Sequence, residues 1–179
     1  MEELVIRRAT AADFAAIVAL NAGEVRHTSP LDEARLRQLD ALAAWHQLAV
    51  LDGQTAAFIL AMRDHVAYRN DNYQWFAAHQ ASFLYVDRIV VGQPFQHHGL
   101  GRRLYRDCFA FALQAGIPYV VCEYNVEPPN PPSAAFHAAH GFVEVGSQWL
   151  TAADGSRKRV SMQLAPVAPV PPAPPIAPN

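Results

Sequence analysis

The residues best suited to chemistry form a glycine-bearing turn, Gln96-His97-His98-Gly99-Leu100-Gly101, between two apolar segments. The segment before it, residues 84–91, is apolar and β-branched, which predicts a buried strand. The segment after it repeats apolar residues at helical spacing, which predicts a helix. The free N–H groups and the dipole of a first helical turn attract anions, and glycines let an anion approach the backbone closely. The turn therefore predicts a phosphate-binding site, with a purely structural turn as the alternative.

Two common phosphate-binding motifs are missing from the sequence. The pattern GxxxxGK[ST] does not occur, which excludes a nucleoside triphosphate P-loop. The pattern GxGxxG does not occur either, so a Rossmann dinucleotide site is not favoured. A nucleotide-phosphate binder that uses the turn in some other way stays as a weaker alternative.

Two carboxylates in apolar runs are candidates for a general base. Asp87 and Glu123 each lie in the middle of a predicted buried strand. Burial disfavours the charged form of a carboxyl group and raises its pKa toward values at which it accepts a proton usefully. Either carboxylate could instead form an ion pair with Arg88, Arg102 or Arg103 and have only a structural role.

The histidines and cysteines do not predict a metal site. His137 and His140 form an H-x-x-H pair, but no third or fourth ligand follows at a recognised spacing. Cys108 and Cys122 lie in a predicted helix and a predicted strand, which favours buried free thiols over a disulfide. Free thiols agree with a reducing cytoplasm, which is the expected location.

Composition limits the class of protein. The chain has 179 residues, half of them apolar, with 17% charged residues and a net charge of −2, which predicts one globular domain. No basic run indicates a nucleic-acid partner, and no apolar run reaches the ~18 residues of a membrane helix. The acidic start Met1-Glu2-Glu3 argues against a secretory signal peptide.

Periodicity and turn signals predict the element order β-α-α-β-β, an insertion, and then β-α-β-α-β-β. The predicted strands cover residues 4–7, 46–51, 55–60, 84–91, 119–125, 142–145 and 160–164, and the predicted helices begin near Thr10, near Ser29-Pro30, after Gly99 and at Ser133. The domain is expected to span residues 1–164. The proline-rich residues 165–179 are expected to form an extended tail.

The insertion, residues 63–80, is rich in aromatic residues without a clean period. Insertions of this length in compact domains are commonly functional. We predict a partly helical flap. The alternative is that Trp75 and Phe76 simply fill the core.

A second motif follows the glycine turn at a distance that fits one helix and one strand. It comprises an asparagine, a small residue, an aromatic–histidine pair and a closing Gly-Phe, which are Asn130, Ser133, Phe136, His137 and Gly141-Phe142. Together with Gln96, Gly99 and Gly101, which fill Q/R-x-x-G-x-G/A, this pattern resembles the GNAT acyltransferase superfamily. It is most similar to an uncharacterised bacterial branch with a YVDRIVV-type central strand.

The resemblance implies the GNAT fold, a mixed α/β sheet, over roughly residues 3–164. It also implies an acetyl-CoA-dependent N-acetyltransferase that transfers an acetyl group to a small-molecule or peptide amine. A backbone N–H near Val90 or Val91 would polarise the thioester carbonyl. The residues implied to bind coenzyme A are Ile89, Val90, Val91, Gln96, His97, His98, Gly99, Leu100, Gly101, Arg102, Asn130, Ser133 and Phe136.

The resemblance also suggests catalytic and acceptor-binding residues. Asp87 or Glu123 would be the base, and His137 stands where many GNAT enzymes have the tyrosine that protonates the leaving thiolate. His137 could take that role or only cover the pantetheine. The insertion, the loop at residues 21–30 and three aromatic residues would wall the acceptor site; the three are Tyr73, Trp75 and Tyr85. A non-catalytic CoA-binding module is the alternative function, and a homodimer is possible because many relatives are dimers.

Overall fold

The computed structural model describes residues 3–24, 28–152 and 154–167. The elements are β1 (Leu4–Arg8), a 3-10 turn (Ala11–Asp13), α1 (Phe14–Ala22), α2 (Glu33–Leu42), β2 (Ala43–Leu51), β3 (Gln54–Arg63), α3 (Asp71–His79), β4 (Leu84–Val91), a second 3-10 turn (Gln93–Phe95), α4 (Leu100–Gln114), β5 (Tyr119–Glu127), α5 (Pro131–Ala138), β6 (Val143–Thr151) and β7 (Arg157–Pro166). The predicted order and the mixed α/β fold are confirmed, and the insertion supplies α3.

The seven strands form one sheet in the order β1-β2-β3-β4-β5-β7-β6. Neighbours are antiparallel except for β4 and β5, which run parallel. These two strands are eight and nine residues long, yet they pair only at Leu84 with Val120 and at Tyr85 with Val121. Beyond those two positions they separate, and a gap opens in the middle of the sheet.

A β-bulge marks the place where the gap begins. Leu60 of β3 pairs with Arg88 of β4, and the next residue of β3, Ala61, pairs with Val86. Asp87 therefore opposes no residue of β3. A bulge bends its strand and re-aims the side chain of the extra residue, so the backbone itself gives Asp87 a special position beside the gap.

Two hydrophobic clusters cover the two faces of the sheet. One cluster contains Phe14, Leu36 and Phe76, so α1, α2 and α3 lie on that face. The other contains Leu104 and Cys108 of α4. Both cysteines are buried and free, as predicted. The gap between β4 and β5 is thus enclosed by helices on both sides of the sheet.

Several predicted strands are longer in the structure, and two boundary differences have a clear physical reason. α2 begins after Asp32, whose side chain accepts a hydrogen bond from the Arg35 N–H, so the predicted start at Ser29-Pro30 is too early. β7 runs past the expected domain end at residue 164, because Ala165 pairs with Val120 and is buried. The remainder of the expected tail, residues 168–179, lies outside the described residues.

The aromatic residues of helix α3 in the insertion pack into the core. Tyr73 and Phe76 are 1% and 0% exposed, and the Tyr73 hydroxyl donates to the Arg63 carbonyl at 2.8 Å. The Trp75 ring packs on the backbone of Gly146 in β6. This corrects the expectation that Tyr73 and Trp75 contact the acceptor, because neither ring is free to reach it.

The contact between Trp75 and Gly146 gives a prediction for stability. A Cβ added at Gly146 would lie 2.4 Å from the Trp75 Cζ2 atom, so Gly146→Ala forces the ring to move. We expect the free energy of unfolding to fall by about 1–3 kcal/mol, the usual penalty of overpacking. Urea denaturation measures the loss. Ser147→Ala, at the exposed neighbouring position, is the control. A loss no larger than that of the control would show that the contact does not constrain the fold.

Candidate active site

The glycine turn presents the start of α4, as predicted. Gly99 is the N-cap residue with φ of 72°, in the left-handed region that glycine adopts without strain, and no side chain caps the helix there. The Arg103 N–H donates to the Gly99 carbonyl at 3.0 Å. The amides of Leu100, Gly101 and Arg102 precede this first helical bond. They therefore face the turn, where an anion can accept from them.

Gly101 allows α5 to pack closely against this turn. A Cβ at Gly101 would lie 3.1 Å from Cζ of Phe136 and 3.6 Å from Cγ2 of Val91. Phe136 belongs to α5, and Val91 ends β4. The two sequence motifs thus meet in space at Gly101, where the close contact leaves little room for a side chain.

A cavity of about 850 Å³, here called the outer cavity, runs from the turn along the end of β4. All of the residues predicted to bind coenzyme A line it except His98, whose exposed ring lies beside the Gln96 carbonyl. Glu24 and Thr28, from the loop predicted to wall the acceptor site, also line it, as do Phe95, Pro132 and Ala139, which the sequence analysis did not select. The predicted cofactor residues are therefore brought together in one place, with His98 outside it.

A second cavity of about 280 Å³, here called the inner cavity, lies beside the gap in the sheet. Asp87, Tyr85 and Glu123 line it, as do Tyr68 and Tyr124, which the sequence analysis did not select. Five residues line both cavities: Thr28, Ile89, Asn130, Ser133 and His137. The two cavities consequently meet where β4 separates from β5. Thr28 belongs to the loop at residues 21–30, of which residues 25–27 lie outside the described part of the chain.

Asp87 is held in an ion pair. Its side chain accepts a hydrogen bond from the Tyr68 hydroxyl at 2.5 Å and one from Nε of Arg88 at 2.8 Å. Arg88 also donates to the side chain of Asn21 in α1. Burial, followed by the charge of Asp87, raises the pKa of Tyr68, so this hydroxyl remains a donor. The ion-pair alternative for Asp87 thus describes the observed geometry, and its partners leave it poorly placed to accept a proton.

Glu123 has a different environment. Its Oε1 accepts a hydrogen bond from the Tyr85 hydroxyl at 3.1 Å, whereas Oε2 is buried and has no partner within the described residues. Burial, with a smaller contribution from the charge of Asp87, raises the pKa of Glu123 to about 7. A carboxylate that lines a cavity and has a pKa near 7 is well suited to accept a proton at neutral pH.

His137 is not placed as a general acid. Its Nδ1 lies 2.7 Å from the Ser133 carbonyl oxygen, which can only accept, so Nδ1 carries the proton. Nε2 lies 3.0 Å from the Tyr105 hydroxyl and accepts from it. Burial lowers the pKa of His137, so the ring is neutral at pH 7. This corrects the expectation that a histidinium protonates the thiolate, and the alternative of a covering role fits the geometry.

The described residues contain neither a cluster of metal ligands nor a membrane-spanning helix. In residues 3–24, 28–152 and 154–167, no three His, Cys, Asp or Glu side chains are grouped as a metal site would require. His140 instead places Nδ1 2.7 Å from the Phe136 carbonyl. No helix in the same ranges is long and apolar enough to cross a membrane.

The sequence matches a family model described as acetyltransferase (GNAT) family over residues 12–142. This chain belongs to the GNAT acetyltransferase family. The matched region contains the turn, α5 and the five residues that line both cavities. No curated protein matched the sequence.

Solved structures share the fold at low sequence identity. The ribosomal-protein-S18-alanine N-acetyltransferase from Escherichia coli is 17% identical with a TM-score of 0.70, over 97% of this chain and 100% of that chain. Ard1 from Thermoplasma volcanium is 15% identical with a TM-score of 0.73, over 93% and 99%. YncA, a putative acetyltransferase from Salmonella typhimurium with its cofactor acetyl-CoA, is 19% identical with a TM-score of 0.69, over 99% and 98%.

The raised pKa of Glu123 predicts a dependence of stability on pH. The folded protein holds this proton more tightly than the unfolded chain, so the contribution of Glu123 to stability falls as pH rises from 4.5 to about 7. Glu123→Gln cannot ionise and keeps an acceptor for Tyr85. We therefore expect the variant to be more stable than wild type at about pH 8, by on the order of 2 kcal/mol, and similar near pH 4.5.

Urea denaturation at the two pH values measures this difference. Glu3→Gln, which removes an exposed carboxylate beside β1, is the control and should follow the wild type at both. If Glu123→Gln were equally stable relative to wild type at both pH values, Glu123 would not be the proton-binding group that its burial indicates.

Proposed function

We propose that this protein transfers the acetyl group of acetyl-CoA directly to a primary amine of a small molecule or peptide. One observation carries the proposal: a cavity at an exposed helix N-terminus meets a second cavity containing Glu123 at the gap between β4 and β5. A thioester approaching from one side and an amine from the other would meet at this junction. Membership of an acetyltransferase family supports the same conclusion.

The residues of the outer cavity fit coenzyme A. The amides of Leu100, Gly101 and Arg102 suit the pyrophosphate, since helix N-termini bind phosphate groups. The close contact of Gly101 with Phe136 makes an apolar wall beside that site. When bound, acetyl-CoA supplies a thioester carbonyl that an amine can attack. We propose that a backbone N–H near Val90 or Val91 donates to the carbonyl oxygen as negative charge develops there, which typically contributes several kcal/mol.

Glu123 is the proposed general base. An ammonium group must lose a proton before its nitrogen can form a bond to the carbonyl carbon, and the Glu123 carboxylate, which lines the inner cavity, is the proposed acceptor. As the new C–N bond forms, the C–S bond breaks and its electron pair stays on sulfur. The nitrogen then loses its second proton, which neutralises the thiolate. Thr28, Asn130 and Ser133 line both cavities and carry side-chain donors, so we propose that one of them stabilises the thiolate at the junction.

A non-catalytic CoA-binding module is the second candidate function. The arrangement of His137 favours it, because a neutral ring with both nitrogens engaged supplies no proton to a leaving group. The two functions differ in turnover. A module binds coenzyme A without consuming the thioester, whatever amine is offered.

Turnover and its pH dependence test the proposed function. With acetyl-CoA and a library of primary amines, we expect release of free CoA, and we expect kcat to rise with pH through about 7 as Glu123 loses its proton. Glu123→Gln should lower kcat by about 10²-fold or more and abolish this rise, since general bases contribute about 10²–10⁴-fold. Glu3→Gln is the matched control. Tight CoA binding with no turnover of any amine would favour the module.

Binding of coenzyme A tests the outer cavity separately. Gly101→Val places methyl groups into the contact with Phe136 and over the amides of the helix start. Isothermal titration should show CoA affinity reduced at least about tenfold, or about 1.4 kcal/mol. Gly53→Ala, in the Asp52-Gly53 hairpin turn away from the cavity, controls for a general effect of changing a turn glycine. An unchanged affinity in Gly101→Val would place coenzyme A elsewhere.

A further inference from the structure

The charges that line the inner cavity do not balance. Its charged side chains are Arg35, Asp87, Arg88, Glu123 and Lys158. Asp87 and Arg88 neutralise each other at 2.8 Å. Glu123 must be ionised before it can take a proton in the proposed reaction, so it offsets one of the two remaining cations. Three cations against two carboxylates therefore leave one net positive charge in a small cavity.

Lys158 is the only lysine in the chain. It lies on β7, where Val160 and Met162 pair with Asn125 and Glu123 of β5. Alternation along β7 puts residues 158, 160 and 162 on one face, so Lys158 projects from the same face as Glu123. Four residues at about 3.3 Å each place its backbone ~13 Å along the strand from the Glu123 pair. The side chain is exposed and forms no direct ion pair in the described part of the chain, although its charge acts on Glu123 from a longer distance.

Arg35 approaches the same cavity from α2. Its guanidinium carbon lies 5.6 Å from the centroid of the Tyr68 ring, and one of its nitrogens donates to Gln38 at 3.1 Å. No carboxylate of the described residues forms an ion pair with it. A guanidinium fixed over an aromatic ring keeps other N–H groups available for a ligand.

We infer, on the basis of the proposed function, that the acceptor is a small primary amine that also bears an anionic group. The amine lies at Glu123, and the anion, a carboxylate or a phosphonate, lies at Lys158 and Arg35. Unpaired cations in a cavity raise the local concentration of anions and repel purely cationic amines such as polyamines. Both side chains bind carboxylate and phosphorus oxyanions through charge-assisted hydrogen bonds. The volume of about 280 Å³ restricts the acceptor to a small molecule.

Matched pairs of amines test this inference. Each pair has the same carbon chain: an amino acid against its carboxamide, and an aminoalkylphosphonate against the corresponding alkylamine. Release of CoA gives kcat/KM for each. We expect the anionic member of a pair to be used at least about tenfold better, as charged hydrogen bonds allow. The better of the carboxylate and phosphonate series identifies the anion.

Variants assign the effect to the two cations. Lys158→Gln and Arg35→Gln should each raise KM about tenfold for anionic amines and leave KM for the neutral members unchanged. Lys158→Arg keeps the charge and should retain most of the preference. Arg157→Gln removes the neighbouring cation, which lies over the Trp149 ring and does not line the cavity, so it is the matched control.

The outcomes separate the inference from the proposed function. If neutral and anionic members are acetylated equally well, or if Lys158→Gln weakens both alike, the inference is overturned while the acetyltransferase activity stands. If no amine of either series releases CoA although CoA binds, both proposals fail. If the preference for anionic amines disappears with Lys158→Gln and returns with Lys158→Arg, the inference is confirmed.

Discussion

The separation of β4 from β5 is the constraint on which the rest of this structure depends. The two strands share only two paired positions, and each is held on its other side by an antiparallel neighbour, β3 or β7. Beyond Tyr85 and Val121, the facing edges of the two strands are not paired with each other. Backbone groups in such a place require another partner. A ligand lying in the gap can supply it, so the same feature that weakens the sheet creates a binding site.

The two carboxylates beside the gap have different environments. Asp87 occurs at the bulge, where Tyr68 and Arg88 both bind it, whereas Glu123 on the opposite strand accepts from the Tyr85 hydroxyl and has its pKa raised by burial. A buried carboxylate whose pKa is raised toward neutral is typical of acid–base sites. The arginine that pairs with Asp87 is the next residue in the sequence. Whether Glu123 has an ion-pair partner depends instead on which elements the fold brings beside it.

Local patterns were sufficient for the elements and the glycine turn, and insufficient for the roles of individual side chains. Strand alternation and helix spacing predicted the element order, and all but one of the residues that the two motifs implied for coenzyme A line the outer cavity. They could not show that Tyr105, 32 residues from His137, occupies Nε2 of its ring. Nor could they place Tyr73 in the core, since its aromatic neighbours come from other elements. Contacts distant in sequence decided both outcomes.

The insertion supports the site as well as lining it, since Tyr68, Asn70 and Asn72 border the inner cavity. α3 follows β3 on one side of the gap, yet its Trp75 packs on β6 and its Asn72 accepts from Gln148 of β6 at 2.6 Å on the other side. β6 and β7 support β5, the strand of Glu123. α3 therefore connects the two halves of the sheet that the gap divides. Because packed interiors resist deformation, this connection opposes movement of the two halves relative to each other at the place where an amine and a thioester would have to meet.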